Sequence, residues 1–310
     1  ITVQHIEQGH VFDLEIHVYY EQEHASVRIV DTHTNIVQIE KNWQVIFEDK
    51  TTSLELKADH SALIMKQIWD FSQTVDIDDV KEILDRQITC NMAIANEGIH
   101  NSYGANIGHV ILNMDSDCVK TRAKAYAAAG SDARMNGCEL PVVINSGSGN
   151  QGITCCVPVV VYAKELDCTQ EQLYRALVLS NLTAIYIKTG IGTLSAFCGA
   201  VSAGAAAGAG IAYLHNGTYK EIQHTIVNAL AILSGTICDG AKASCAAKIA
   251  SSVDAGIMGY YMYKNKQQFY AGDGIVAHSV DETIQNIGTL GSQGMLQTND
   301  KIIEMMISCD

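Results

Sequence analysis

The stretch "IDDVKEILDRQITCNMAIANEGI", residues 77–99, carries apolar side chains at Ile77, Val80, Leu84, Ile88, Met92, Ala95 and Ile99. Steps of three and four residues place them on one stripe of an α-helix. Upstream the period is different. In "FDLEIHVYY" (12–20), "ASVRIVD" (25–31), "NIVQIEK" (35–41) and "WQVIFED" (43–49) apolar and polar residues alternate, as in half-buried strands. Short polar breaks such as "EQEH" and "KN" separate them, so three or four antiparallel strands are expected. The change of period near residue 60 predicts an α+β chain: a small β-rich region over 1–58, then a large all-α helical domain over 59–310.

Helix starts are legible downstream. Thr169 with Gln172, and Ser279 with Glu282, have the spacing of capping boxes, and Thr218 is placed to cap "YKEIQHTIVNALAIL" (219–233). Pro141 and Pro158 are the two prolines of the chain and bracket one segment. The run "TGIGTLSAFCGAVSAGAAAGAGIAYL" (189–214) is long enough to cross a bilayer. It is built from Gly, Ala and Ser rather than Leu and Ile, and reads as a buried, close-packed helix or helix pair.

A chain of 310 residues with 47% hydrophobic and 17% charged residues can bury a substantial core. Its formal net charge of −14 argues against a nucleic-acid partner, because phosphate binding needs a basic face. No basic n-region followed by an apolar run opens the chain, and ten cysteines suit a reducing compartment. A cytoplasmic protein without a membrane span is expected. The chain starts without Met, already in a strand-like alternation, as if a segment upstream had been removed. Oligomeric state is left open by the sequence, a homodimer included.

Three segments offer chemistry. In "VVINSGSGNQGITCCVPVVVYA" (142–163) an apolar run enters a Ser/Gly/Asn loop and another leaves it. Successive backbone N–H groups in such a loop suit an anion. Ser146, Ser148, Asn150 and Gln151 add side-chain donors. The phosphate-loop pattern is absent, since no Lys followed by Ser or Thr closes the loop. A carboxylate is therefore as good a guest as a phosphate, and a plain glycine-rich connection is the competing reading. The second segment is the cysteine set: Cys155, Cys156, Cys198, Cys238 and Cys245. Cys238 and Cys245 in "ICDGAKASCAAKI" (237–249) would stand about 10.5 Å apart along a straight helix, unless Gly240 opens the segment as a loop. Buried thiols without function are the competing reading. The third is His33 in "DTHTNIVQIEK" (31–41), a donor or base at a strand tip, or simply a turn residue. His100 raises the same pair of readings.

Taken together, "THTNI" (32–36), "GSGNQG" (147–152), "LSAFCGAV" (194–201), "CDGAK" (238–242) followed by "CAAKI" (245–249), and "GDGIVAHSVDETIQNIGTLGSQGM" (272–295) resemble the L-cysteine desulfidases, which are related to the α chain of iron–sulfur L-serine dehydratases. The resemblance implies an oxygen-sensitive [4Fe–4S] lyase that eliminates the β-substituent of a small L-amino acid without pyridoxal phosphate. L-cysteine would give pyruvate, ammonia and sulfide. It also implies that Cys198 and Cys238 are cluster ligands and that the glycine loop holds the substrate. Family members carry a further cysteine in an early Cys-Thr-Glu-Pro stretch that this sequence lacks, which leaves Cys245 or another cysteine as third ligand. Ser146, Ser148 and Asn150 are expected to orient the substrate, His33 to touch it from the β region, and Lys242 to place a charge near the cluster. An L-serine dehydratase and a non-catalytic small-molecule-binding homologue without a working cluster are the alternatives.

Overall fold

The computed structural model describes residues 2–5, 13–30, 35–49, 59–192 and 195–308. The chain divides into two compact units, residues 1–59 and 60–310.

The first unit is a meander of five antiparallel strands in sequence order: β1 (Thr2–His5), β2 (Asp13–Tyr20), β3 (Glu23–Val30), β4 (Ile36–Lys41) and β5 (Gln44–Glu48). One strand more than expected forms because Thr2–His5 pairs with Leu14–His17. The β4–β5 turn puts Asn42 (φ 49°) and Trp43 (φ 67°) both in the left-handed region, and Lys41 pairs with Gln44 across it. Such a two-residue turn matches the twist of the strands it joins. Trp43 thus belongs to the turn rather than to the strand its neighbours suggested. Asp13, 1% exposed, receives both Nε and a terminal nitrogen of Arg28, at 3.0 and 2.8 Å.

The second unit holds eleven α-helices among the described residues: α1 (Met65–Thr74), α2 (Ile77–His100), α3 (Ile107–Met114), α4 (Val119–Met135), α5 (Gly149–Glu165), α6 (Gln170–Ile191), α7 (Gly199–Leu214), α8 (Tyr219–Ile232), α9 (Ser244–Lys264), α10 (Val280–Thr289) and α11 (Leu296–Ile307). The α2 stripe falls on a single continuous helix, as its period requires. Capping boxes form at Thr169, Thr218 and Ser279, each with its side chain on the N3 N–H and the N3 side chain returned to the cap.

The run 189–214 is divided: its first residues end α6 at Ile191, and Gly199–Leu214 becomes α7, buried along nearly its whole length between α5, α6, α8 and α9. Small residues let its backbone touch a neighbour's. A Cβ at Gly208 would lie 2.6 Å from the Gly256 carbonyl oxygen of α9, and one at Gly256 would collide with the carbonyl of Gly204. Among the described residues no helix is long and apolar enough to cross a membrane. With α7 fixed at the centre, its first residue sits where α5, α9 and the chain before α9 meet.

Candidate active site

Residues 196–198 and 236–238 form a short antiparallel contact. Phe197 and Ile237 make a β-bridge, the Cys198 N–H donates to the Thr236 carbonyl at 3.2 Å, and the Cys238 N–H donates to the Ala196 carbonyl at 2.6 Å. This bridge brings two cysteines from distant helices side by side. Cys198, 8% exposed, is the N-cap residue of α7, and its thiol neighbours that of Cys238.

The pair shares its protons unequally. The adjacent Cys198 thiol lowers the Cys238 thiol to about 6, against desolvation and with help from the Gly240 N–H and the charges of Lys248 and Lys188. Cys198 is pushed up by its contact with Cys238 and by burial. The environment thus favours the thiolate at Cys238 over Cys198, the form that binds metals and acts as a nucleophile. Lys248 also donates to the Ile237 carbonyl at 2.8 Å and pairs with Asp239. Lys188 is nearly buried, and desolvation lowers it although both thiols favour its charge.

Gly240 turns the chain at φ +99°, so the segment 238–245 is not one helix. Cys238 precedes the turn, while Cys245 lies in the first turn of α9 with its Sγ 3.6 Å from the Gly240 carbonyl oxygen. Among the described residues no group of three or more His, Cys, Asp or Glu is arranged to hold a metal ion. Cys198 and Cys238 converge; Cys245 does not join them as a ligand set, because its sulfur is directed to that carbonyl. Lys242 is exposed and pairs with Asp239 at 2.5 Å, so the charges acting on the thiols are those of Lys248 and Lys188 instead.

The glycine loop is tighter than a loop. Asn145 and Ser148 exchange backbone hydrogen bonds at 3.1 and 3.0 Å around Ser146 (φ 48°) and Gly147 (φ 75°), and α5 begins at once. Ser146 Oγ donates to Asn145 Oδ1 at 2.9 Å, and Asn145 is anchored to Asn181 of α6. Ser148 is the N-cap, its oxygen accepting the Gln151 N–H at 3.4 Å. Of the expected substrate contacts, these two serines thus hold the turn and the helix start. Asn150 stands at the half-buried opening of α5, and its Oδ1 accepts from a terminal nitrogen of Arg134 at 3.2 Å. His33 lies outside the described residues.

Two contacts join this helix start to the cysteine pair. The Gln151 carboxamide packs against Gly199, where a Cβ would come within 2.7 Å of it, one residue from Cys198. Arg134, near the end of α4, lies against Gly149 and within electrostatic reach of Cys245, which Lys248 also reaches. The N-termini of α5, α7 and α9, with Arg134, Lys188 and Lys248, make a positive region in a protein of net charge −14. The carboxylate named in it, Asp239, is paired with two lysines, which hold it at about 2 against desolvation. An anion is the guest this arrangement suits.

A profile of the serine dehydratase alpha chain matches residues 15–304. This chain belongs to the serine dehydratase alpha chain family. A UPF0597 protein of Desulfitobacterium hafniense (strain Y51) is 56% identical over 300 residues, covering 96% of this chain and 70% of that protein. UPF0597 proteins of Lachnoclostridium phytofermentans and Fusobacterium nucleatum are 52% and 40% identical, covering 91% and 96% of this chain and 68% and 73% of their own lengths.

For this serine dehydratase alpha chain family member, sequence reading alone passed over Arg134 and Lys188 and gave Lys248 no role. Arg134 closes an alanine-rich helix, "AYAAAGSDARM" (125–135), and Lys188 lies in the last turn of α6. Neither has a local pattern that distinguishes it from a solvated surface cation. Their burial beside the thiols and the α5 start is visible only once the helices are packed.

Proposed function

We propose that the protein is a lyase that eliminates the β-substituent of a small L-amino acid, with L-cysteine converted to pyruvate, ammonia and sulfide. Membership in the serine dehydratase alpha chain family supports a lyase-like function. The observation that carries the reading furthest is the Cys198–Cys238 pair, held at the start of α7 beside the start of α5.

The two sulfurs converge, the environment of one favours the thiolate, and two lysines balance negative charge around them. They fit two corners of a [4Fe–4S] cluster, which takes cysteine thiolates and carries negative charge. When bound there, such a cluster supplies a Lewis-acidic iron. The chain's own groups do the rest. The N–H groups that open α5 and the neighbouring cations attract the substrate's carboxylate. Gln151, buried and wedged against Gly199, fixes the distance between that anion site and the thiols. Lys248 and Lys188 stabilise negative charge developing on a departing sulfide or hydroxide.

Anaerobically purified protein, reconstituted with iron and sulfide and supplied with L-cysteine or L-serine, tests this directly. Sulfide with pyruvate from L-cysteine is the expected result. Pyruvate from L-serine without sulfide from L-cysteine would establish the dehydratase instead. A second reading, a binding protein without a working cluster, is favoured by the convergence of two rather than three donors among the described residues. Iron and acid-labile sulfide analysis separates it, since that reading requires neither to be retained.

A further inference from the structure

Arg28, Arg122 and Arg175 each hold a carboxylate: Asp13, the pair Asp117 and Glu165, and Glu171. Among the described residues Arg86 and Arg134 hold none; Arg86 is exposed, whereas Arg134 is half-buried. One terminal nitrogen contacts Asn150 Oδ1 and Met135 Sδ, both at 3.2 Å, and neither carries charge. Asp132, two residues earlier, is directed to α3, where it accepts the Ile107 N–H at 2.7 Å. Burial without a carboxylate lowers the Arg134 guanidinium from its ordinary value, and the thiol of Cys245 alone offsets this. A partly desolvated cation without a fixed counter-ion is costly. A site that takes an anionic ligand explains it.

The surroundings match one kind of anion. Gly149 leaves the room that the guanidinium fills, since a Cβ there would collide with Arg134 Nε. The N–H groups of Gly149 and Asn150 open α5 and have no intrahelical acceptor, while Ser148 already occupies that of Gln151. A planar fork of donors next to two backbone donors fits a carboxylate, which takes two parallel N–H···O bonds. Gln151 links the same helix turn to Gly199, next to the thiol pair.

We propose that Arg134 recognises the α-carboxylate of the substrate, so that the site accepts free amino acids and rejects those whose carboxyl is esterified or amidated. This rests on the lyase reading for the substrate's identity, but not for the anion site. The guanidinium and the α5 N-terminus grip the carboxylate, and the β-substituent then extends toward Cys198 and Cys238.

The test uses the full chain reconstituted anaerobically, with L-cysteine and L-cysteine methyl ester as substrates and sulfide release as readout. The wild-type protein should prefer the free acid, and Arg134→Gln should raise KM for L-cysteine by about 30-fold or more, the loss of a charged hydrogen-bond pair. Its kcat should fall much less, and its preference for the free acid should collapse. Arg134→Lys keeps the charge without the fork and should recover part of the affinity; it also decides the matter if Arg134→Gln does not fold. An unchanged KM in the variant that folds, or a wild-type protein indifferent to esterification, would overturn the proposal. Should the wild-type protein release neither sulfide nor pyruvate, the lyase reading fails and calorimetry with S-methyl-L-cysteine decides. Binding that disappears in the variant supports Arg134 as the carboxylate site, and no binding to wild type refutes it.

Discussion

Cys198 and Cys238 stand forty residues apart in the chain and lie side by side in the fold, a contact that lowers the Cys238 thiol and raises that of Cys198. The bridge between Phe197 and Ile237 is what holds them in register. Two consequences for the thiols can be measured, and two more for the helices around them.

Iodoacetamide should label Cys238 with an unusual pH profile in iron-free protein. Alkylation follows the thiolate, so the rate should rise as pH passes about 6 and level off above it. An ordinary thiol would keep gaining rate toward about 8.5. Because the folded value is the lower one, stability from this group is present above the unfolded value and is lost as pH falls through about 6. Cys155 and Cys156, fully buried and pushed up by desolvation, should stay unlabelled in the folded protein. Peptide mass spectrometry across a pH series checks all of this.

Lys248→Met should raise the pH at which Cys238 reacts. The variant removes a cation that favours the thiolate and also unpairs Asp239 on one side. The same labelling experiment would show a profile displaced upward. An unmoved midpoint would mean that Cys198, the Gly240 N–H and Lys188 hold the Cys238 thiol down without Lys248.

Ser148→Ala should cost about 1 kcal/mol of stability, the usual loss of an N-cap oxygen, because that oxygen holds the Gln151 N–H. KM for the substrate should stay unchanged if capping is its whole role. Urea denaturation with parallel kinetics distinguishes the two effects, and a raised KM at unchanged stability would return Ser148 to the substrate.

Gly256→Ala should destabilise the helical unit by about 3 kcal/mol. The added methyl meets the backbone carbonyl of Gly204, which cannot rotate away as a side chain would. Chemical denaturation gives the figure, and full native stability would show that α7 and α9 can part without penalty.

The sequence made strands β2 to β5 and the helices α2, α6, α7, α8 and α10 legible because their signals are local. Alternation marked β2 through β5, the 3.6-residue period marked α2, and side-chain oxygens three residues before Gln172, Glu221 and Glu282 marked helix starts. The turn at Asn42 and Trp43 was harder, because an apolar Trp in a left-handed turn imitates the end of a strand. In the site, the cysteines and Asn150 stood out by motif. Ser146 and Ser148 shared that motif, yet the turn around φ 48° and 75° directs them to the backbone and to Asn145.

Residue order by itself therefore determined two regions of different period, the helix caps, a small-residue helix suited to close packing, and a Ser/Gly/Asn loop between two apolar runs. Only the tertiary structure decided that Cys198 meets Cys238 while Cys245 faces Gly240, and that Arg134 lies against Gly149 with no carboxylate partner among the described residues. The reason is physical. Strands and helices are chosen by interactions between residues a few positions apart, whereas these neighbours depend on how closely α4, α5, α7 and α9 pack.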